Sequence, residues 1–138
     1  MTIVIDASIA LAWCFEDEAS DETDAVAHRV IAEGGLVPSL FHLELANVLL
    51  QSERRGRISA SEIAQRLDLL AQMPIETDPQ TAGRAWSDTL SLARAHKLTS
   101  YDAAYLELAA RRGAELATKD KALATAADQL GVTLIMPQ

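Results

Sequence analysis

Aromatic residues make up 4% of the 138-residue chain, and cysteine occurs once, at Cys14. With so few rings, a core has to be assembled from Ala, Leu, Ile and Val, which the 49% hydrophobic content supplies. A lone cysteine excludes an internal disulfide and fits a reducing cytoplasm. Its place in the apolar run IALAWCF reads as core packing, not as a nucleophile. No apolar run approaches the ~18 residues that a membrane span needs. The opening TIVID has no basic region of the kind that begins a secretory leader. A cytoplasmic protein with no membrane contact is therefore expected. His28, His42 and His96 show no mutual metal-ligand spacing and read as surface or cap residues. Trp13 and Trp86 fall in helical patterns and read as packing residues, with a dimer interface as the other place for Trp13.

Positive charge is also scarce. Residues 1–53 carry ten acidic side chains against Arg29 alone, a net of -9, and residues 54–138 carry ten acidic and eleven basic ones, a net of +1. Together these make the overall -8. That balance excludes a non-specific nucleic-acid binder of the basic-patch type and a regulator with a basic recognition helix. A chain of this kind that handles a polyanion needs cations from elsewhere.

What is present is an alternation. Thr2–Ile5 reads as a buried strand, Ala7–Phe15 as a short helix, and the six-carboxylate stretch Glu16–Asp24 as the entry to a helix stopped by Gly34. Leu36-Val37 is a short strand closed by Pro38, and residues 40–55 form a helix ending at Gly56. Ser59 and Glu62 make a capping box for the next helix, which Pro74 follows. Asp78-Pro79 predicts another helix, with Asp at the cap and Pro in the first turn. A helix over 100–112, a strand at Glu115–Thr118, a helix at Lys121–Leu130 and a strand at Val132–Met136 complete the chain. No repeat or linker interrupts it, so residues 1–138 read as one domain, α/β in class, with a central mainly parallel sheet covered on both faces.

Parallel strands joined by right-handed crossovers bring their carboxyl ends to one edge, where open α/β sheets bind ligands. Asp6 follows the first strand, Glu44 lies early in the helix after the second, and Asp120 follows Glu115–Thr118. Asp102 opens the helix that leads into that strand. Each has an ordinary reading: Asp6 and Asp120 as helix caps, Thr99 with Asp102 as a capping box, Glu44 as a surface charge. Glu44 is the hardest to dismiss. Its helix, LFHLELANVLLQS, is apolar nearly all round, and Glu44, Asn47 and Gln51 share one polar face that needs something to meet. Four carboxylates in one crevice repel one another unless a cation joins them. An all-oxygen set suits Mg²⁺ or Mn²⁺, which equips a site to cut phosphodiesters. The cluster Glu53-Arg54-Arg55-Gly56-Arg57 reads first as dipole-favoured cations at a helix C-terminus. Its functional reading is contact by Arg54, Arg55 and Arg57 with the phosphates flanking such a cut. Arg111-Arg112 ends a helix in the same way. The acidic stretch EDEASDETD reads as a solvated helix start, or as an attractant for a basic segment of a partner.

The fragments IVIDAS, PSLFHLELANVL, LTSYDAAYLELA and LATKDKAL, in that order, resemble the PIN-domain ribonucleases, and most closely the VapC-type toxins of toxin–antitoxin pairs. The resemblance spans essentially the whole chain. It implies a three-layer α/β/α sandwich and a Mg²⁺- or Mn²⁺-dependent endoribonuclease. It implies Asp6, Glu44, Asp102 and Asp120 as the catalytic, metal-binding set, with Ser8, Thr118 and Asn47 in support. It further implies an RNA substrate, a homodimer and a cognate VapB-type antitoxin that covers the active site. Two other readings stand beside it. A haloacid-dehalogenase-like phosphatase also starts from strand–Asp and uses Mg²⁺, but it needs a second aspartate where this chain has Ser8. An inactive binding module of PIN shape would have lost carboxylates that this chain keeps.

Overall fold

In a computed structural model, which describes residues 2–135, five strands form one sheet in the order β3-β2-β1-β4-β5. They are β1 (Ile3–Ile5), β2 (Gly35–Val37), β3 (Ile75–Thr77), β4 (Glu115–Ala117) and β5 (Leu134–Ile135), and every pairing is parallel. β1 lies at the centre, with Val4 opposite Leu36 on one side and Leu116 on the other. Ile3, Val4, Ile5, Leu36 and Leu116 are all fully buried, the mark of a parallel strand covered on both faces. Gly35 permits a close approach of β3 and of the helix that carries Val30: a Cβ there would stand 3.0 Å from Val30 Cγ1 and 3.2 Å from Ile75 Cγ1.

The helices that cover the sheet are α1 (Ala7–Cys14), α2 (Asp21–Glu33), α3 (Phe41–Arg54), α4 (Ala60–Ala71), α5 (Thr81–Arg84), α6 (Leu90–His96), α7 (Ser100–Arg112) and α8 (Lys121–Leu130). Their ends follow local chemistry. Ser20 with Thr23, and Ser59 with Glu62, close complete capping boxes on α2 and α4. Gly113 and Gly131 end α7 and α8 in the left-handed region that glycine adopts freely. The core is aliphatic, as the composition required; Cys14 is buried in it as a free thiol, and Tyr105 is its only fully buried aromatic among the described residues.

Several expectations need correction. β3 was not foreseen: Ile75-Glu76-Thr77 is a three-residue edge strand with two exposed side chains, too short and polar to announce itself. Asp78 does not open a helix at Pro79. Helix begins at Thr81, and the Asp78 carboxylate, 2% exposed, is held instead by both terminal nitrogens of Arg111 (2.6 and 3.3 Å). Arg111 also reaches Glu107 at 2.8 Å, so a residue read as a helix-end cation completes a buried triad. Burial alone would raise the Asp78 carboxyl, but the Arg111 bonds outweigh it and hold it below its ordinary value. Between α5 and α6 the chain widens into a π-helical turn at Ala85–Thr89, where Trp86 is 93% exposed instead of packed. Trp13 does pack, its indole nitrogen donating to the Thr23 carbonyl at 2.8 Å. α3 is not buried all round: only Phe41, Leu45, Leu49 and Ser52 face inward, while Leu43, Val48 and Leu50 lie open. The last strand is Leu134–Ile135, and the expected extension to Met136 lies outside the described residues.

Candidate active site

The chain runs from β1 to β2 and β3 on one side, then returns to β4 and β5 on the other. The order therefore reverses beside the carboxyl end of β1, where open α/β sheets form their ligand crevice. Asp6 stands there. It leaves β1 as its backbone N–H donates to the Ala117 carbonyl of β4, and its side chain caps α1 by accepting from the Ile9 N–H at 3.2 Å. The same Oδ1 accepts from the Ser8 hydroxyl at 2.6 Å, and Oδ2 accepts a short hydrogen bond from the Thr118 hydroxyl. Each hydroxyl is used twice. Ser8 Oγ accepts from the Lys119 N–H at 3.0 Å, and Thr118 Oγ1 accepts from the Asp120 N–H at 2.9 Å. Ser8 and Thr118 thus stitch the β1–α1 turn to the β4–α8 turn around a single buried carboxylate.

The other three carboxylates arrive from separate helices. Glu44 lies in the first turn of α3, half-buried, with its Oε1 accepting from the Tyr105 hydroxyl at 2.6 Å. Asp102 lies in the first turn of α7, half-buried, with its N–H held by the Thr99 hydroxyl that caps the helix. Asp120 is exposed and caps α8 through Leu123 N–H at 2.9 Å. So the capping roles of Asp6 and Asp120 are real, and the capping of α7 belongs to Thr99.

Electrostatics link the four. Burial pushes the Asp6 carboxyl above its ordinary value against the opposing bonds from Ser8, Thr118 and Ile9, and the charge of Asp102 pushes it further. Burial also raises Glu44, against the Tyr105 bond, with added repulsion from Asp102 and Asp6. Asp102 is raised by burial and then by Asp120. Burial and the bond to Glu44, with repulsion from Asp6 and Asp102, hold the Tyr105 phenol firmly protonated, a fixed donor. Among the described residues, no ion pair involves Asp6, Glu44, Asp102 or Asp120. Nor do any three His, Cys, Asp or Glu side chains among them gather at chelating distance. The carboxylates share one edge and feel one another's charge without meeting at a point. An all-oxygen donor set of this kind has the chemistry of a hard divalent-cation site, in which waters can bridge the ion to carboxylates that do not touch it.

Tyr105 is the site residue that sequence reasoning missed. The available signal was the spacing in YDAAY: Tyr105 stands three residues after Asp102, on the neighbouring part of one helix face. Asn47 is exposed one turn after Glu44, and its side chain makes no hydrogen bond among the described residues. The structure does not bring the arginine cluster to the carboxylates. Arg54 and Arg55 are exposed at the far end of α3, roughly 15 Å from Glu44 at 1.5 Å per residue. Arg57 is paired with Asp17 (2.9 Å) and Glu18 (2.8 Å) and lies 3.9 Å over the Phe15 ring.

Comparison with known proteins agrees with this architecture. The PIN domain family model matches residues 3–129. Ribonuclease VapC3 of Pyrobaculum aerophilum is 31% identical over 126 residues, covering 90% of this chain and 93% of that protein. Ribonuclease VapC3 of Mycobacterium tuberculosis is 30% identical over 128 residues, covering 90% and 86%. Among solved structures, PAE2754 from Pyrobaculum aerophilum superposes with a TM-score of 0.70 at 22% identity, over 98% of this chain and 90% of the other. FitAcB from Neisseria gonorrhoeae superposes with a TM-score of 0.54 at 18% identity, over 96% of each chain.

Proposed function

The chain belongs to the PIN-domain family, and on that premise we propose that it is a metal-dependent endoribonuclease, the toxin of a toxin–antitoxin pair, acting as one catalytic domain in the cytoplasm. The observation that carries this is the set of four carboxyls at the sheet's switch point, linked by repulsion through Asp102 and none of them paired with a cation among the described residues. Relatives named as ribonucleases, matched along nine-tenths of the chain, supply the reaction class.

Asp6 and Asp102 would hold Mg²⁺ or Mn²⁺, with Glu44 and Asp120 beside them as direct ligands or as acceptors for metal-bound water. The ion supplies a lowered pKa for an attacking water and a counter-charge for the phosphate. The protein's own work is positional. Ser8 and Thr118 fix both oxygens of Asp6, so the buried carboxylate presents one orientation. Tyr105 fixes Glu44 from the neighbouring helix. Thr99 caps α7 through the Asp102 N–H and also hydrogen-bonds the Asp102 carboxyl, steadying it at the start of the helix.

Two partners belong to this reading. Leu43 (77% exposed) and Leu50 (41%) stand two turns apart on one face of α3, an apolar stripe suited to a second copy of the chain. The acidic entry to α2, Glu16–Asp24, suits a basic segment of a cognate antitoxin that covers the carboxylate edge.

Expression in a bacterial host tests the proposal. The chain alone is expected to arrest growth and leave new RNA 5′ ends at defined sites, and Asp102→Asn is expected to do neither. Equal arrest by both proteins at equal levels would sink it.

A further inference from the structure

We infer that Tyr101 is a stacking platform for an unpaired nucleobase beside the scissile phosphate, an inference that rests on the ribonuclease reading above. In a chain this poor in aromatics, Tyr101 is 63% exposed and directly precedes Asp102. Its hydroxyl has no hydrogen-bond partner among the described residues. Four positions on, one turn along the same face of α7, Tyr105 is buried with its hydroxyl on Glu44. Tyr101 therefore stands one turn outside the Tyr105–Glu44 contact, at the rim of the carboxylate edge. Side chains lean toward the N-terminus of their helix, which for α7 is the end that carries Asp102, and the exposure of the ring shows that it is not folded back on the core. Trp86 is more exposed, but none of the residues in its turn joins the carboxylate network.

Chemistry favours a base over a phosphate at this position. Asp102 follows Tyr101 directly in the chain, and the carboxylates of this edge repel phosphate oxygens wherever no metal intervenes. A neutral π face beside them attracts the neighbouring nucleotide through its base, whatever that base is. In a duplex both faces of the base are already stacked, so the platform selects single-stranded or looped RNA.

An abasic residue walked through a single-stranded RNA tests this directly. Wild type and Tyr101→Phe should slow about ten-fold when the abasic residue reaches one position next to the cut, the order that a base–aromatic stack supplies. Tyr101→Ala should already be slow on intact RNA and indifferent to the abasic residue there. Independently of cleavage, 2-aminopurine at that position should be quenched on binding to wild type in chelator, and not on binding to Tyr101→Ala. Equal quenching and an equal abasic profile in wild type and Tyr101→Ala would overturn the inference. So would a Tyr101→Ala whose only change is its sedimentation as a smaller species, which would place the ring in a protein interface. If wild type cleaves no RNA, the ribonuclease reading fails by that result, and the quenching still decides the fate of the stacking platform.

Discussion

Replacing Thr118 with valine keeps the shape of a fully buried side chain and removes one hydroxyl. That hydroxyl donates to Asp6 Oδ2 and accepts the Asp120 N–H. Loss of the charge-assisted bond costs about 1.5–3 kcal/mol. The Asp120 N–H, at an exposed residue, turns to water and adds less than about 1 kcal/mol. A loss of about 2–3 kcal/mol lowers a urea midpoint by roughly 1 M at the m-values of a chain this size. The loss should also depend on pH. Thr118 favours the ionised form of Asp6, whose carboxyl already sits above its ordinary 3.8. Without Thr118 it rises further, so the folded variant holds its proton to higher pH than the unfolded chain does. Stability from that proton is fully present below the unfolded value and is lost as pH rises through the folded one. The gap between wild type and Thr118→Val should therefore widen from pH 4 to pH 7. Urea unfolding in chelator, at one fixed protein concentration, reads both effects, and Thr118→Ser should restore most of the loss. A Thr118→Val as stable as wild type across that range would refute the assignment of this hydroxyl as the clamp on Asp6.

Other consequences are as direct. Arg111→Met should destabilise the fold by about 3–5 kcal/mol, because it strands Asp78 and Glu107, with side chains 1% and 6% exposed; Arg84→Met, on an exposed pair, should shift the thermal midpoint by less than about 1 kcal/mol's worth. In chelator, Asp6→Asn should gain on wild type as pH rises from 4 to 7, since it removes one carboxyl whose folded value is raised; parallel urea profiles would contradict this. If Arg54, Arg55 and Arg57 meet phosphates, their triple replacement by alanine should weaken RNA binding and flatten its salt slope by up to about three phosphate contacts. The Asp17 and Glu18 pairing of Arg57 points to a smaller change, and an unchanged slope would leave the cluster a helix-end feature.

The strands at Asp6 and Asp120, and the helix starts at Glu44 and Asp102, were legible because strand ends and caps obey local rules, and parallel topology carries them to one edge. Tyr105 was not, because its hydroxyl finds Glu44 across sixty-one residues and no local pattern reports that. The Asp78–Arg111–Glu107 triad escaped for the same reason: each member has a sound local explanation as a cap or helix-end charge, and tertiary contact overrode it. α3 misled in a different way. Its apolar residues surround the helix in sequence, but the sheet covers only one side, and Leu43 and Leu50 are left on the surface.

Above all, these carboxyls are proposed to cut RNA by way of a divalent cation. Cleavage of a labelled single-stranded RNA by purified wild type and Asp102→Asn, with Mg²⁺ or Mn²⁺ titrated in and then chelated, tests it most directly. Wild-type cleavage should rise with the metal and stop with the chelator, while Asp102→Asn, folded to the same extent by circular dichroism, stays inactive at every metal concentration. Wild-type cleavage that persists in excess chelator, or full activity in Asp102→Asn, would contradict the account.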